Sequence, residues 1–153
     1  MGTRSLTFVY SSYKDEAGFQ QHSPIINLYR QYDGYPEGHG AEIYEFLAPF
    51  TLVNGLGAED DRKVANGMSC LAAQLVAHFK DGAGQFYLEP VTAKECGQDY
   101  EYHIFMTEDR QFRISVTDRG CNMFGLTQSD TNKTLFTGNL EEFKKFCKVE
   151  ETV

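Results

Sequence analysis

The sequence predicts an α+β fold, in which a mainly antiparallel sheet is covered on one face by two or three helices. Several segments alternate apolar and polar residues, as strands with one buried face do. Residues 59–80 instead repeat apolar positions at the three- and four-residue spacing of an amphipathic helix. The connections are short, and strand and helix patterns are grouped along the chain, which favours antiparallel pairing over crossover helices.

The first third of the chain contains two predicted strands and a short predicted helix. The strands are residues 3–10 and 25–32, and the polar residues 11–24 between them are expected to form a long mobile loop. Residues 33–40 are rich in turn-forming residues. Residues 41–50 predict a helix that ends near a proline.

The strongest helix signal lies in the middle of the chain. It covers residues 59–80, although Asn66-Gly67 offers a later start, and a third strand follows at residues 85–91. The apolar positions that predict its buried stripe are Val64, Met68, Leu71, Leu75 and Phe79.

A hairpin is predicted from residues 99–107 and 111–118, and the side-chain parity of the two strands fixes its register. A two-residue turn would place Phe105 opposite Ile114. A three-residue turn gives one apolar face, with Ile104 opposite Ile114 and Met106 opposite Phe112. We therefore predict the three-residue turn.

The last elements are a short strand and a helix. Residues 134–137 have the composition of a strand. Asn139 is a favourable N-cap, and Glu142 stands three residues later, as in a capping box. A helix is therefore predicted to begin at Leu140.

Length and composition predict one domain that spans residues 1–153. Apolar residues make up 41% of the chain and charged residues 24%, which is typical of a globular domain. The sequence has no apolar run of the roughly 18 residues that cross a bilayer and no secretory signal pattern. We expect a cytoplasmic protein without a membrane partner, and a homo-oligomer is compatible with this class on base rates alone.

Charge and cysteine spacing narrow the possible partners. The formal charge is −8, which argues against binding to duplex nucleic acid, because such binding needs a basic face. The four cysteines lie far apart, and no Cys-x-x-Cys or His-x-x-x-His pair is present. We therefore predict ordinary thiols and no metal site, and no motif indicates a cofactor.

Two arginines stand on the predicted inward faces of the first two strands. Arg4 is in phase with Leu6 and Phe8, and Arg30 is in phase with Leu28. If the two strands pair antiparallel, the arginines are expected to converge at one edge of the core. Their charges would then need partners, because burying an unpaired charge costs several kcal/mol.

The segment from Tyr29 to Gly40 carries the other candidate ligand-binding groups. Arginine guanidinium groups suit a phosphate or carboxylate, and glycines before a helix let backbone N–H groups approach an anion. Tyrosines can stack on a base, and a histidine can donate a hydrogen bond. The predicted ligand-binding residues are Arg4, Tyr29, Arg30, Gln31, Tyr35, Glu37, Gly38, His39 and Gly40.

Three functional interpretations stay open at this stage. The leading one is non-enzymatic binding of a small anionic, nucleotide-like ligand. The second is a hydrolase or lyase for such a ligand, with His39 as the acid or base and Asp33 or Glu37 orienting it. The third is a protein–protein interaction module. A purely structural interpretation also exists, in which Asp33 and Glu37 neutralise the two arginines.

Three segments resemble a family of small uncharacterised proteins from bacteriophages, bacteria and large DNA viruses. They are the opening Met-Gly-Thr-Arg-Ser-Leu-Thr, the run from Tyr29 to Gly40, and the run from Asn66 to Phe79. The resemblance brings no known activity, so it assigns no catalytic role. A viral setting implies, as an expectation only, that the protein sequesters a nucleotide signal of host defence.

Overall fold

The computed structural model describes residues 2–57, 63–120 and 133–150. The described strands are β1 (Ser5–Lys14), β2 (Gln20–Arg30), β3 (Thr51–Val53), β4 (Val64–Asn66), β5 (Phe86–Glu89), β6 (Tyr100–Met106), β7 (Phe112–Asp118) and β8 (Lys133–Asn139). The helices are α1 (Ala41–Leu47), α2 (Gly67–Phe79) and α3 (Leu140–Phe146), and one π-helical turn, Pro36–Gly40, leads directly into α1.

The main sheet has six strands in the order β5-β2-β1-β6-β7-β8. All neighbouring strands in it run antiparallel except the central pair, β1 and β6, which run parallel. The two short strands β3 and β4 form a separate parallel pair. The predicted α+β class with a mainly antiparallel sheet is thus confirmed, and β3 and β4 are elements that the sequence pattern did not indicate.

One apolar core lies between the main sheet and the helices. Residues of all three helices join it, including Ile43 of α1, Leu71 of α2 and Phe143 of α3, each fully buried. From the sheet, Ile104 and Ile114 are also fully buried in this core. The helices therefore cover the same face of the sheet, as predicted.

The predicted loop at residues 11–24 is wrong in its secondary structure. Residues 11–14 continue β1 and residues 20–24 begin β2, so the two strands form one long hairpin. The turn between them is closed by Asp15, whose side chain accepts hydrogen bonds from the backbone N–H groups of Ala17 and Phe19. These strand residues are polar because they extend beyond the helix-covered part of the sheet, so the sequence pattern did not indicate strands there.

The long helix does not begin at residue 59, and the later start that Asn66-Gly67 offered is confirmed. Val64 belongs to strand β4, which pairs with β3, and helix α2 begins at Gly67. Gly67 has a φ of 78°, a conformation that glycine adopts without strain, so the chain turns there before it enters the helix. The part of the prediction that falls on residues 58–62 lies outside the described residues.

The hairpin register and the last helix follow the prediction. Ile104 pairs with Ile114 and Met106 pairs with Phe112 across β6 and β7. The Asn139 side chain accepts from the backbone N–H of Glu142, and the Glu142 side chain accepts from the backbone N–H of Asn139. These reciprocal bonds form the predicted capping box.

Strand β1 faces the opposite way from the prediction. Thr7 pairs with Leu28 and Tyr102, so Ser5, Thr7 and Val9 point toward the helices. Leu6 and Phe8 point to the other face, yet they are buried as well, at 0% and 6% exposure. The segment after β5 covers that face, where Asn27 binds the carbonyl groups of Pro90 and Ala93. Both faces of β1 are therefore buried.

We expect Asn139→Ala to destabilise the protein by about 1 kcal/mol, because α3 loses the side-chain acceptor at its first turn. The free energy of unfolding in urea measures this loss. Lys145→Ala, in the last turn of the same helix, is the matched control and should change stability by less than about 0.5 kcal/mol. Equal effects of the two substitutions would contradict the capping role.

Candidate functional site

A chain of hydrogen bonds links the centre of the sheet to helix α1 through His39. The Nε2 atom of His39 lies 2.7 Å from the Thr7 hydroxyl, and its Nδ1 atom lies 2.9 Å from Nη1 of Arg30. The same Nη1 group binds the Glu42 carboxylate, and Nε of Arg30 donates to the Tyr32 carbonyl at 2.6 Å. Thr7, Arg30 and His39 are all buried.

His39 is a neutral, fully buried ring whose tautomer follows from its partners. A guanidinium can only donate, so Nδ1 accepts from Arg30, and Nε2 carries the proton that it donates to Thr7. Burial and the nearby charge of Arg30 together lower the pKa of His39 to about 3. The arrangement gives no support to His39 as an acid or base near neutral pH.

Aromatic rings complete the surroundings of His39. The rings of Phe79 and Tyr102 lie 5.2 and 5.1 Å from it, centroid to centroid. The Tyr102 hydroxyl donates to the carbonyl of Gly34 at 2.7 Å, which ties the central strand β6 to the turn after β2. The histidine is thus a fixed part of the core.

The glycines of the 34–40 turn are explained by close packing. A Cβ atom at Gly40 would lie 2.7 Å from Sγ of Cys147, and one at Gly38 would lie 2.7 Å from the carbonyl oxygen of Asp33. The N–H groups of Gly38 and His39 already donate to the carbonyls of Tyr35 and Asp33. The prediction that these N–H groups are free for an anion is wrong.

The two predicted arginines lie on opposite faces of the sheet, so the predicted convergence is wrong. Arg30 pairs with Ser5 across β1 and β2 and therefore points toward the helices. Arg4 precedes Ser5 and lies near Tyr29 on the other face. Burial raises the pKa of Tyr29, and the Arg4 charge partly offsets that rise. Reversal of the β1 faces is the physical reason for the separation.

The remaining predicted residues are scattered around the turn. Tyr35 and Glu37 are exposed, and the Glu37 carboxylate lies 3.6 Å from the Lys148 ammonium group. The backbone N–H of Gln31 donates to the carbonyl of Gln85. Asp33 is exposed and does not pair with Arg30. The acidic partner of Arg30 is Glu42, which the sequence reasoning did not name.

A cavity of about 380 Å³ opens beside Arg30, between α1, α2 and the start of β5. Its ring-bearing walls are Phe46, His78, Phe79 and Phe86. Its polar lining is Arg30, Glu42, Glu45 and Gln85. This volume lies within the range of about 300–1,000 Å³ typical of small-ligand sites.

Arg30 lines this cavity and has hydrogen-bond donors that no described residue uses. Its side chain is only 5% exposed, and the Phe86 ring lies 5.1 Å from its Cζ atom. Within residues 2–57, 63–120 and 133–150, Nε and Nη1 are engaged, whereas Nη2 has no hydrogen-bond partner. A buried guanidinium beside a cavity, with one amino group not engaged by the protein, is suited to recognise an acceptor group on a ligand.

Gln85 is the other cavity residue with unusual geometry. Its φ is 62°, in the left-handed region that residues other than glycine rarely adopt. The strained position follows the tight turn between α2 and β5 and places the residue at the cavity wall. Among the cavity residues, only Arg30 was predicted. The others come from three elements and share no sequence motif.

A second polar cluster lies on the opposite face of the sheet. Glu101 accepts from Gln98 at 2.8 Å and from Arg119, and its other oxygen lies 3.3 Å from Nε2 of His103. The Tyr10 hydroxyl lies 2.6 Å from Nδ1 of His103. Burial opposes ionisation of Glu101, but these hydrogen bonds and the Arg119 charge lower its pKa. The cluster fastens the 94–99 segment to β6.

Comparisons with protein-family models, with curated proteins and with solved structures return no match. The family resemblance therefore stays a prediction from the sequence segments. No helix within the described ranges is long and apolar enough to span a membrane. In the same ranges, no three His, Cys, Asp or Glu side chains are grouped as metal ligands would be.

We expect the stability of the protein to fall as pH decreases from 7 to 5, in part because of His39. The unfolded state binds a proton near pH 6.5, whereas the folded state does not until about pH 3. Stability is therefore lost as pH falls, by about 1.4 kcal/mol per unit in that window. The expected contribution between pH 7 and pH 5 is about 2 kcal/mol.

His39→Gln tests this contribution, because glutamine can accept and donate but does not titrate. Urea unfolding at both pH values should show a smaller difference for His39→Gln than for the wild type. His22→Gln, at an exposed histidine in the β1–β2 hairpin, is the matched control and should keep the wild-type difference. An unchanged difference in His39→Gln would show that His39 does not cause the pH dependence.

Proposed function

We propose that the protein binds a small nucleotide-like ligand without converting it, and that the Arg30 cavity holds the planar ring of that ligand. The observation that carries the proposal is the Nη2 group of Arg30. It belongs to a 5% exposed side chain, lacks a partner among the described residues, and stands at the wall of a 380 Å³ cavity. This pairing of a buried donor with ring-lined space favours a flat ligand that bears acceptors.

The cavity walls support a ring better than a phosphate group. The Phe46, Phe79 and Phe86 rings offer apolar contact to a planar group. Two carboxylates, Glu42 and Glu45, share the lining and would repel a phosphate placed inside. The anionic part of the ligand is therefore expected outside the cavity.

Binding without turnover is the form of the proposal that the geometry favours. The predicted acid or base, His39, is buried behind Arg30 and is held neutral. Neither of its ring nitrogens is open to a ligand, since Thr7 and Arg30 occupy them. A cytoplasmic location and capture of a host signalling nucleotide are part of the same proposal and rest on the sequence alone.

Arg30→Lys should weaken nucleotide binding about tenfold or more, because lysine keeps the positive charge but lacks the second amino group. The measurement is isothermal titration of the purified protein with the four common ribonucleoside monophosphates. Arg113→Lys, at an exposed arginine on β7, is the matched control and should bind as the wild type does. If no nucleotide binds the wild type, the proposed function is wrong.

Gln85→Gly tests the cavity without disturbing the buried hydrogen bonds that Arg30 makes. Glycine suits the φ of 62° at this position, so the fold should be retained or slightly stabilised. Removal of the amide from the cavity wall should still weaken binding. Wild-type affinity in both Gln85→Gly and Arg30→Lys would place the ligand elsewhere.

A further inference from the structure

We propose that the ring recognised in the Arg30 cavity is guanine, an inference that rests on the proposed nucleotide binding. Arg30 offers the two N–H groups of Nη2 as donors. Glu42 uses one carboxylate oxygen for Arg30, and Glu45 makes no ion pair or hydrogen bond within the described part of the chain. The cavity thus combines the Arg30 donor group with two carboxylate acceptors, and the Gln85 amide adds both a donor and an acceptor.

The charge of the lining also favours guanine. Arg30 contributes one positive charge and the two glutamates contribute two negative charges, so the lining has an excess of acceptors over donors. A ring that fits such a site must donate more hydrogen bonds than it accepts there. Glu42 and Glu45 are exposed residues, so a ring bound against them displaces their water, and an acceptor-rich ring would leave a carboxylate there without a replacement partner.

Guanine is the common base whose pairing edge meets this requirement. Its edge carries one acceptor, O6, followed by two donor groups, the N1–H and the exocyclic amine. Cytosine and uracil present two acceptors and one donor group, and adenine presents one of each. Arginine is also the commonest protein partner of the guanine O6 and N7 atoms. Arg30 would bind this acceptor side, and the glutamates would accept from the donor side.

The Arg30–Glu42 pair makes the pattern geometrically specific. The two side chains are bonded to each other, so a donor and an acceptor stand next to one another at the wall. A base that binds them must show an acceptor beside a donor, as guanine does with O6 and N1–H. Glu45, one helical turn after Glu42 within α1, then accepts from the exocyclic amine.

The test compares the affinities of guanosine, inosine, adenosine, cytidine and uridine monophosphates by isothermal titration. Guanosine monophosphate should bind about tenfold or more tightly than the adenosine and pyrimidine nucleotides. Inosine monophosphate differs from it only by the missing exocyclic amine, and should fall between them. Equal affinity for all bases would overturn the guanine inference while leaving nucleotide binding in place. Absence of any binding would reject the proposed function itself.

Glu45→Gln isolates the second acceptor. Glutamine keeps one acceptor oxygen but loses the negative charge, so this variant should reduce the preference for guanosine over inosine monophosphate, with its inosine affinity changed by less than about threefold. Glu108→Gln, at an exposed glutamate in the β6–β7 turn, should keep the wild-type preference. An unchanged preference in Glu45→Gln would overturn the assignment of Glu45 to the amine.

Discussion

The buried bond between Arg30 and His39 is the constraint on which the rest of this structure depends. It joins β2 to the π-helical turn, and through Thr7 and Glu42 it reaches the central strand and helix α1. Each partner needs the others, because a buried donor or charge left without a partner costs several kcal/mol. The turn must therefore bring one histidine ring to one position under the sheet. Gly40 is required for this approach, since a Cβ there would meet Cys147.

The partners of Arg30 explain how a buried arginine can line a cavity. Arg30 is neutralised by Glu42 and held by the Tyr32 carbonyl, so its buried charge is paired within the protein. The guanidinium plane is fixed before any ligand arrives, which reduces the ordering cost of binding. The Nη2 group has no hydrogen-bond partner among the described residues, and it belongs to a side chain that lines the cavity. The structural and the ligand-binding interpretations of Arg30 are therefore compatible, because they involve different nitrogens of the side chain.

Local sequence signals could predict much of the fold. They failed where contacts with a distant part of the chain determine the structure. Asn139 and the Ile104–Ile114 pairing depend on neighbours in sequence or on strand parity, and both are confirmed. The orientation of β1 was not predictable in this way, because both of its faces are buried. Thr7 is out of phase with the predicted inward face of Arg4, Leu6 and Phe8, yet it contacts the buried His39, 32 residues away. The predicted convergence of Arg4 with Arg30 was wrong for the same reason.

The candidate site likewise combines a residue that the local sequence indicated with residues that only tertiary packing brings together. The crowded Tyr29–Gly40 segment contains Arg30, which lines the cavity, but its glycines and His39 pack in the interior. The residues that give the cavity its chemistry, Glu42, Glu45 and Gln85, carry no motif and come together only through α1 and the turn before β5. Because the arginine charge is already balanced, the proposed recognition would depend on the pattern of donors and acceptors more than on net charge. An acidic protein can therefore bind an anionic nucleotide, provided that the base enters the cavity and the phosphate stays outside.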